Sequence, residues 1–117
     1  MGKTVLITGA GSGFGKGTAI ALAVRGHTVI ATTETQSQAE ALSAEAPELE
    51  VVKLDITSSV DVAKAKDFDV EVLINNAGAG QTGPLADVSL DRVRHLFEIN
   101  VFGTLAITQA LLPKMAA

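Results

Sequence analysis

The sequence has 117 residues, of which 47% are hydrophobic and 19% charged, and this balance predicts a folded single domain over residues 1–117 rather than a disordered chain. The formal net charge of −4 and the scattered Lys and Arg residues argue against nucleic acid or an anionic membrane as a partner. The absence of cysteine excludes disulfides and thiolate metal sites, so we expect a cytoplasmic protein with no metal centre.

Apolar runs and helical segments alternate along the chain and predict the order βαβαβαβα. In chain order these are a strand at Val5–Ile7, a helix at Gly13–Arg25, a strand at Thr28–Thr33, a helix at Gln36–Ala46, a strand at Glu50–Leu54, a short helix ending at Lys66 and capped by Ser58 or Ser59, a strand at Val70–Ile74 and a long helix at Ser89–Met115. Each strand is continuously apolar, which is typical of burial on both faces. The pattern therefore predicts a parallel sheet with right-handed helical crossovers.

A glycine-rich loop, TGAGSGFGKG over residues 8–17, lies between the first strand and the first helix. Small residues there allow backbone N–H groups to approach a phosphate at the helix N-terminus. The strict G-x-G-x-x-G spacing fails, because Phe14 and Lys16 occupy the positions that require glycine. A P-loop also fits poorly, since Gly17 stands where a Ser or Thr should hold Mg²⁺ and Asn75 where an acid should. A phosphate-binding loop and a plain flexible turn both remain open from the glycines alone.

Four segments, taken in order, resemble the classical short-chain dehydrogenase/reductase family. They are the T-G-x3-G-x-G pattern at Thr8–Gly15, LDIT at Leu54–Thr57, NNAG at Asn75–Gly78 and FEINVFG at Phe97–Gly103. The resemblance implies an α/β fold, specifically half of a doubly wound Rossmann fold with a parallel sheet of about four strands in the order 3-2-1-4. It also implies an NAD(P) cofactor.

The resemblance implies a set of site residues. The glycine loop would contact the cofactor through Gly9, Ser12, Gly13, Phe14 and Gly15. After the later strands, the implied cofactor contacts are Thr33, Glu34, Asp55, Ile56, Asn76, Ala77 and Gly78. Asn100 is the implied catalytic-centre asparagine, at a point where the long helix loosens. Simple capping by Asp55 and an ordinary surface position for Asn100 remain the alternatives, and Asn75 is interpreted as structural.

The residues after the second strand weakly favour NAD over NADP. At this point of a dinucleotide-binding fold an acid holds the adenosine ribose hydroxyl, whereas an arginine accepts a 2′-phosphate. Thr33 occupies the family's usual acid position and is neutral, while the adjacent Glu34 would repel a phosphate. A solvated turn residue is the alternative interpretation of Glu34.

The sequence contains no tyrosine. In the family, a tyrosine in a Y-x-x-x-K motif transfers the proton and an upstream serine orients the substrate carbonyl, and these residues follow a fifth strand. We therefore expect a truncated chain that binds the dinucleotide but is catalytically inactive alone, while a full-length parent would transfer hydride between NAD(P) and a carbonyl or alcohol substrate.

Two apolar surfaces predict self-association. Without a fifth strand, Val70–Ile74 would be an exposed hydrophobic sheet edge, and the helix Ser89–Met115 is apolar on more than one face. We expect a homo-oligomer formed through the strand edge, the helix or both. The alternative function is a non-catalytic structural half-domain that assembles with itself and binds no nucleotide.

Overall fold

A computed structural model describes residues 2–117, and its elements follow the predicted alternation of strands and helices. They are β1 Thr4–Ile7, α1 Gly13–Val24, β2 Thr28–Thr33, α2 Gln36–Glu45, β3 Glu50–Lys53, α3 Ser59–Ala65, β4 Val72–Ile74, α4 Leu90–Phe97 and α5 Thr104–Ala116. A 3-10 turn at Leu85–Asp87, which the sequence did not predict, precedes α4, and a π-helical turn at Glu98–Gly103 joins α4 to α5.

The four strands form one parallel sheet in the order β3-β2-β1-β4, as predicted. In the register of this sheet, Val5 of β1 pairs with Val29 of β2 on one side and with Val72 of β4 on the other. Parallel neighbours require crossover connections, which the helices between the strands provide. All four strands therefore point their carboxyl ends toward the same edge of the sheet.

Two hydrophobic cores lie on opposite faces of the sheet, because successive side chains of a strand point to opposite sides. On one face Leu6 belongs to a buried cluster with Ile107 and Leu111 of α5. On the other face Ile7 clusters with Ala19 of α1 and Leu42 of α2. The result is three layers, with α1 and α2 on one side of the sheet and α3 and α5 on the other.

The prediction that every strand is buried on both faces is wrong for the two outer strands. Val51 and Val52 of β3 and the whole of β4 are only half-buried. An outer strand has a neighbour on one side alone, so solvent reaches its free edge. The predicted start of the fourth strand is also two residues early. Val70 is buried, but the ladder with β1 begins at Val72.

Hydroxyl side chains cap three helices. Thr35 and Gln38 form a capping box on α2, in which Thr35 Oγ1 accepts from the Gln38 backbone N–H at 3.2 Å and Gln38 Oε1 accepts from the Thr35 N–H at 3.1 Å. Ser58 rather than Ser59 caps α3, and Ser89 caps α4 as predicted. Side-chain oxygens thereby satisfy N–H groups that have no partner within their own helices.

The long C-terminal helix is interrupted rather than continuous. The π-helical turn around Asn100 separates α4 from α5, at the position where the resemblance implied a loosened helix. Leu90–Ala116 spans 27 residues with a mean hydropathy of 1.3 in its most apolar part, so its length and composition would suffice to cross a membrane. Ile107 and Leu111 of this segment are buried against the sheet, while only 22% of its most apolar part is buried inside the structure.

Candidate functional site at the carboxyl edge of the sheet

A cleft of about 280 Å³ lies at the carboxyl ends of the strands, where open α/β sheets bind their ligands. Most of the residues that the sequence nominated line this one cleft. They are Gly9, Ser12, Glu34, Asp55, Ile56, Asn76, Ala77 and Gly78. Residues from four different strand ends thus meet in space, as the parallel topology requires.

The glycine loop packs directly onto the segment that follows β4. Gly9 has a φ of 65°, a conformation that side chains other than glycine rarely adopt. A Cβ atom placed on Gly9 would lie 2.7 Å from the Cα atom of Ala77. The first glycine of the loop is therefore required both by its backbone conformation and by the close approach of the two chain segments.

Asn76 locks these two segments together. Its Nδ2 donates to the carbonyl oxygens of Thr8 at 3.2 Å and Gly9 at 3.1 Å. A Cβ atom on Gly15 would overlap that amide nitrogen and would lie 2.5 Å from the Gly9 oxygen. Gly15 therefore gives Asn76 the space to reach the loop, a role separate from contact with a ligand.

The hydroxyl of Thr8 is the second link between the loop and the strand-end segment. Thr8 is 1% exposed, and its Oγ1 accepts from the backbone N–H groups of Asn76 at 3.1 Å and Ala77 at 3.0 Å. A single buried hydroxyl therefore accepts from two backbone donors, of which the Asn76 N–H also reaches the Ile74 carbonyl oxygen at 3.1 Å.

The N-terminus of α1 is an open anion site. Ser12 is the N-cap residue, yet its side chain makes no capping hydrogen bond. The N–H groups of Gly13, Phe14 and Gly15 find no acceptor among the described residues, and Lys16 is the first to bond back, to the Ser12 carbonyl. The Phe14 side chain is 91% exposed, and Gly13, Phe14 and Gly15 follow the cleft-lining Ser12 without lining the cleft themselves. These free donors at a helix N-terminus fit the pyrophosphate of a dinucleotide.

Asp55 occupies the end of β3 and shapes the loop beside the cleft. Its Oδ1 accepts from the backbone N–H of Thr57 at 2.9 Å and from the Thr57 hydroxyl at 2.7 Å. Asp55 therefore forms a local turn with Thr57 and caps no helix, since Ser58 caps α3, and it lines the cleft at the same time.

Asp61 binds the backbone of Asp55, and the sequence did not lead us to predict this role. Its Oδ2 accepts from the Asp55 backbone N–H at 2.9 Å and from Lys53 Nζ at 2.7 Å. Burial alone would raise the pKa of Asp61, but the bonds from Lys53 and the Asp55 amide outweigh it and lower that pKa below its ordinary value. The same bond to Asp61 raises the pKa of Lys53. The available signal was the Ser-x-x-Asp spacing from Ser58, a helix-start pattern.

Glu34 and Thr33 take different positions after β2. Glu34 is exposed and lines the cleft. Thr33 has no exposed surface, and its hydroxyl donates to the Thr35 carbonyl oxygen at 2.9 Å. Thr33 therefore does not line the cleft, because its polar group is used inside the turn that leads into α2, and its assignment as a cofactor contact stays a prediction.

Asn100 reaches the cleft wall indirectly. Its Nδ2 donates to the Ala79 carbonyl oxygen at 2.7 Å, and its Oδ1 accepts from the Ala79 N–H at 3.0 Å. Ala79 lines the cleft and Asn100 does not. The side chain thus fixes the loop after β4, in the same way that Asn75 fixes the end of β4 through a 3.0 Å bond from Nδ2 to Thr108 Oγ1.

The charged side chains that line the cleft are both acidic. They are Glu34 and Asp55, and no Lys or Arg of the described residues lines it. Lys16, the residue that suggested a P-loop, forms an ion pair with Glu45 of α2 at 2.8 Å. Five lining residues were not predicted, namely Gly11, Gln38, Leu54, Ala79 and Ile99.

Known proteins share both the sequence pattern and the fold. The model of the family described as short chain dehydrogenase matches residues 3–117. Retinol dehydrogenase 8 of Bos taurus is 39% identical over 71 residues, which cover 57% of this chain and 23% of that protein. The human 17-beta-hydroxysteroid dehydrogenase type 1 is 41% identical over 71 residues, which cover 57% of this chain and 22% of that protein.

Solved structures resemble nearly the whole chain. A short-chain dehydrogenase from Streptomyces avermitilis superposes with a TM-score of 0.87 at 38% identity, over 98% of this chain and 45% of that one. A 7 alpha-hydroxysteroid dehydrogenase complexed with NADH and 7-oxo glycochenodeoxycholic acid gives 0.85 at 32% identity, over 97% of this chain and 48% of that one. The chain thus spans about half the length of these structures, and its matched segment covers about a quarter of the length of the curated relatives.

Proposed function

Because the chain belongs to the short-chain dehydrogenase family, and forms its dinucleotide-binding half, we propose that the whole protein exchanges hydride between NAD(P) and an alcohol or carbonyl substrate. The 117 residues contain no tyrosine, so the Y-x-x-x-K proton donor of the family cannot come from them. These residues as a single domain bind the cofactor and turn over no substrate by themselves.

The observation that carries this proposal is the set of free N–H groups at the start of α1. Gly13, Phe14 and Gly15 would hold the pyrophosphate with backbone donors, with Gly9 and Ser12 completing the loop. Asp55 and Ile56 would line the adenine side of the cleft, and Glu34 the adenosine ribose. The segment of Asn76, Ala77 and Gly78, which Thr8 and Asn100 hold in place, would line the nicotinamide ribose. When bound, the nicotinamide supplies the hydride chemistry.

The charges of the cleft support NAD over NADP. A 2′-phosphate beside the ribose would approach the Glu34 carboxylate, and the cleft offers no lysine or arginine among the described residues to compensate. Lys16 forms a partly exposed ion pair with Glu45 and does not line the cleft. We therefore propose that Glu34 accepts a ribose hydroxyl and that NADP binds more weakly than NAD.

Calorimetric titration of the 117-residue chain with NAD and with NADP tests both proposals. The expected result is saturable binding of NAD with a rise in the melting temperature, since a ligand that binds only the folded state stabilises it. The variant Glu34→Gln should bind NADP better relative to NAD. Absence of any dinucleotide binding contradicts the proposed function, whereas tighter binding of NADP contradicts only the preference.

A self-associating structural half-domain remains the second candidate, and exposed apolar side chains on the C-terminal helices favour it. Phe97, Val101, Phe102, Leu105 and Leu112 are each about half exposed. Among the described strands, β4 pairs with β1 alone, so its other edge is free. We propose a cytoplasmic homo-oligomer that associates through this edge, the helix or both, and that makes no use of nucleic acid or membrane.

Sedimentation equilibrium separates the two candidates. The proposal expects a concentration-dependent dimer or higher oligomer that Leu105→Lys weakens, with dinucleotide binding retained. A clean monomer at tens of micromolar would refute the association. Assembly without dinucleotide binding would favour the structural half-domain over the cofactor-binding half.

A further inference from the structure

The orientation of the Gln38 amide is fixed by the helix cap that it makes. Its Oε1 accepts from the Thr35 backbone N–H at 3.1 Å. A backbone N–H can only donate, so the atom that faces it must be the oxygen, and Nε2 is turned away. Nε2 donates to no acceptor in residues 2–117. The capping box thus leaves an NH₂ group with two free donors.

The Gln38 side chain lies on the glycine loop at the acidic end of the cleft. A Cβ atom on Gly11 would contact Gln38 Cδ at 3.3 Å, and Gln38 lines the cleft together with Ser12 and Glu34. The cap uses Oε1, so the amide nitrogen is the part of the Gln38 head group that is left wholly free to bind a ligand. The same cleft therefore offers a neutral donor from Gln38 and a carboxylate acceptor from Glu34.

We propose that Gln38 is a cofactor-binding residue that donates from Nε2 to a ribose hydroxyl of the adenosine half of the dinucleotide. A diol both donates and accepts, so it can pair with the Glu34 carboxylate and the Gln38 amide together. A phosphate monoester at neutral pH has no proton to donate and can only accept hydrogen bonds. It would therefore face the Glu34 carboxylate without a hydrogen bond between them. The pair therefore recognises an unphosphorylated ribose. This inference rests on the proposed function, because it places the adenosine in this cleft.

Two substitutions separate the donor from the cap. Gln38→Glu keeps an oxygen that can accept from Thr35, since glutamate is the usual partner in a capping box, but it removes the amide donor. Gln36→Glu is the matched control, because it adds the same charge in the first turn of the same helix at an exposed residue outside the cleft lining. Calorimetric titration with NAD and the melting temperature without ligand are measured for both variants and for the unsubstituted chain.

The expected result is a roughly tenfold weaker Kd for NAD in Gln38→Glu, the loss expected for one hydrogen bond to a ligand. Its melting temperature should equal or exceed that of the unsubstituted chain, and Gln36→Glu should bind NAD within about twofold of it. Unchanged binding by Gln38→Glu overturns the inference, and so does an equal loss in Gln36→Glu, which would be a charge effect. If the unsubstituted chain binds no NAD, the proposed function fails together with the inference.

Discussion

Replacing Gly15 by alanine should destabilise the fold, although alanine is the better helix former. The gain in helix propensity is about 1 kcal/mol. Against it, the new Cβ would lie 2.5 Å from the Gly9 carbonyl oxygen and would displace the Asn76 amide. Loss of the two Asn76 bonds costs about 2 kcal/mol, and the forced packing against fixed backbone costs about 1–3 kcal/mol more. The net expectation is a loss of about 2–4 kcal/mol.

Gly17→Ala is the matched control. Gly17 lies in the same helix, and nothing is within 4 Å of a Cβ atom placed on it, so alanine there should stabilise the chain by about 1 kcal/mol. Urea unfolding followed by far-UV circular dichroism measures both variants. Because both positions lie in α1, the gain in helix propensity is common to the two variants. The difference between their free energies of unfolding therefore reports the contact at Gly15. Equal stability of Gly15→Ala and the unsubstituted chain would refute the proposed contact between the glycine loop and Asn76.

Three further variants address other links in the site. Thr8→Val leaves the Ala77 N–H without an acceptor, while the Asn76 N–H keeps the Ile74 carbonyl oxygen, so it should cost about 1–3 kcal/mol in urea unfolding. Thr8→Ser should stay within about 1 kcal/mol, and similar losses for both variants would contradict the role of the hydroxyl. Asn100→Ala removes both the acceptor of the Ala79 N–H and the donor to the Ala79 carbonyl oxygen, so hydrogen exchange at the Ala79 amide should quicken at least about tenfold, and unchanged protection would exclude the clamp. Asp61→Asn should lose about 1–2 kcal/mol at pH 7, a modest figure because its partner Lys53 is 37% exposed. Since the folded pKa of Asp61 lies below its ordinary 3.8, the carboxylate's contribution is present above that value and is lost as pH falls through the folded pKa. The loss in free energy of unfolding caused by Asp61→Asn should therefore shrink in acid. A loss that is independent of pH would refute the ion pair.

The sheet and the location of the cleft could be predicted from the sequence, because both follow from periodic patterns. Four apolar runs separated by helices predict a parallel sheet, and parallel strands bring their carboxyl ends to one edge. Asp55 and Asn76 could be nominated because each lies just after a strand and because the resemblance to the family implied both as cofactor contacts. The structure places both at the cleft.

Side-chain orientation and long-range partners could not be predicted in the same way. Thr33 is the last residue of its strand, and Asp55 follows its own strand closely. The Thr33 hydroxyl nevertheless turns inward to the Thr35 carbonyl oxygen, because the local turn geometry decides its direction. The partners of Asn100 and Asp61 lie in loops whose path no periodicity specifies. Gln38 was recognisable as a helix-start residue only, because its place beside Gly11 depends on how α2 packs on the glycine loop.

An amide-resolved NMR titration of the chain with NAD tests the central claim most directly. The cleft account predicts that chemical-shift changes concentrate in the backbone N–H groups of residues 9–15, 34–38, 55–56 and 76–79, with the largest at Gly13, Phe14 and Gly15 at the start of α1. It predicts little change in the far half of α2 or in the 3-10 turn at Leu85–Asp87. Saturable changes centred on that turn, or no saturable change at residues 13–15, would contradict dinucleotide binding at the carboxyl edge of the sheet.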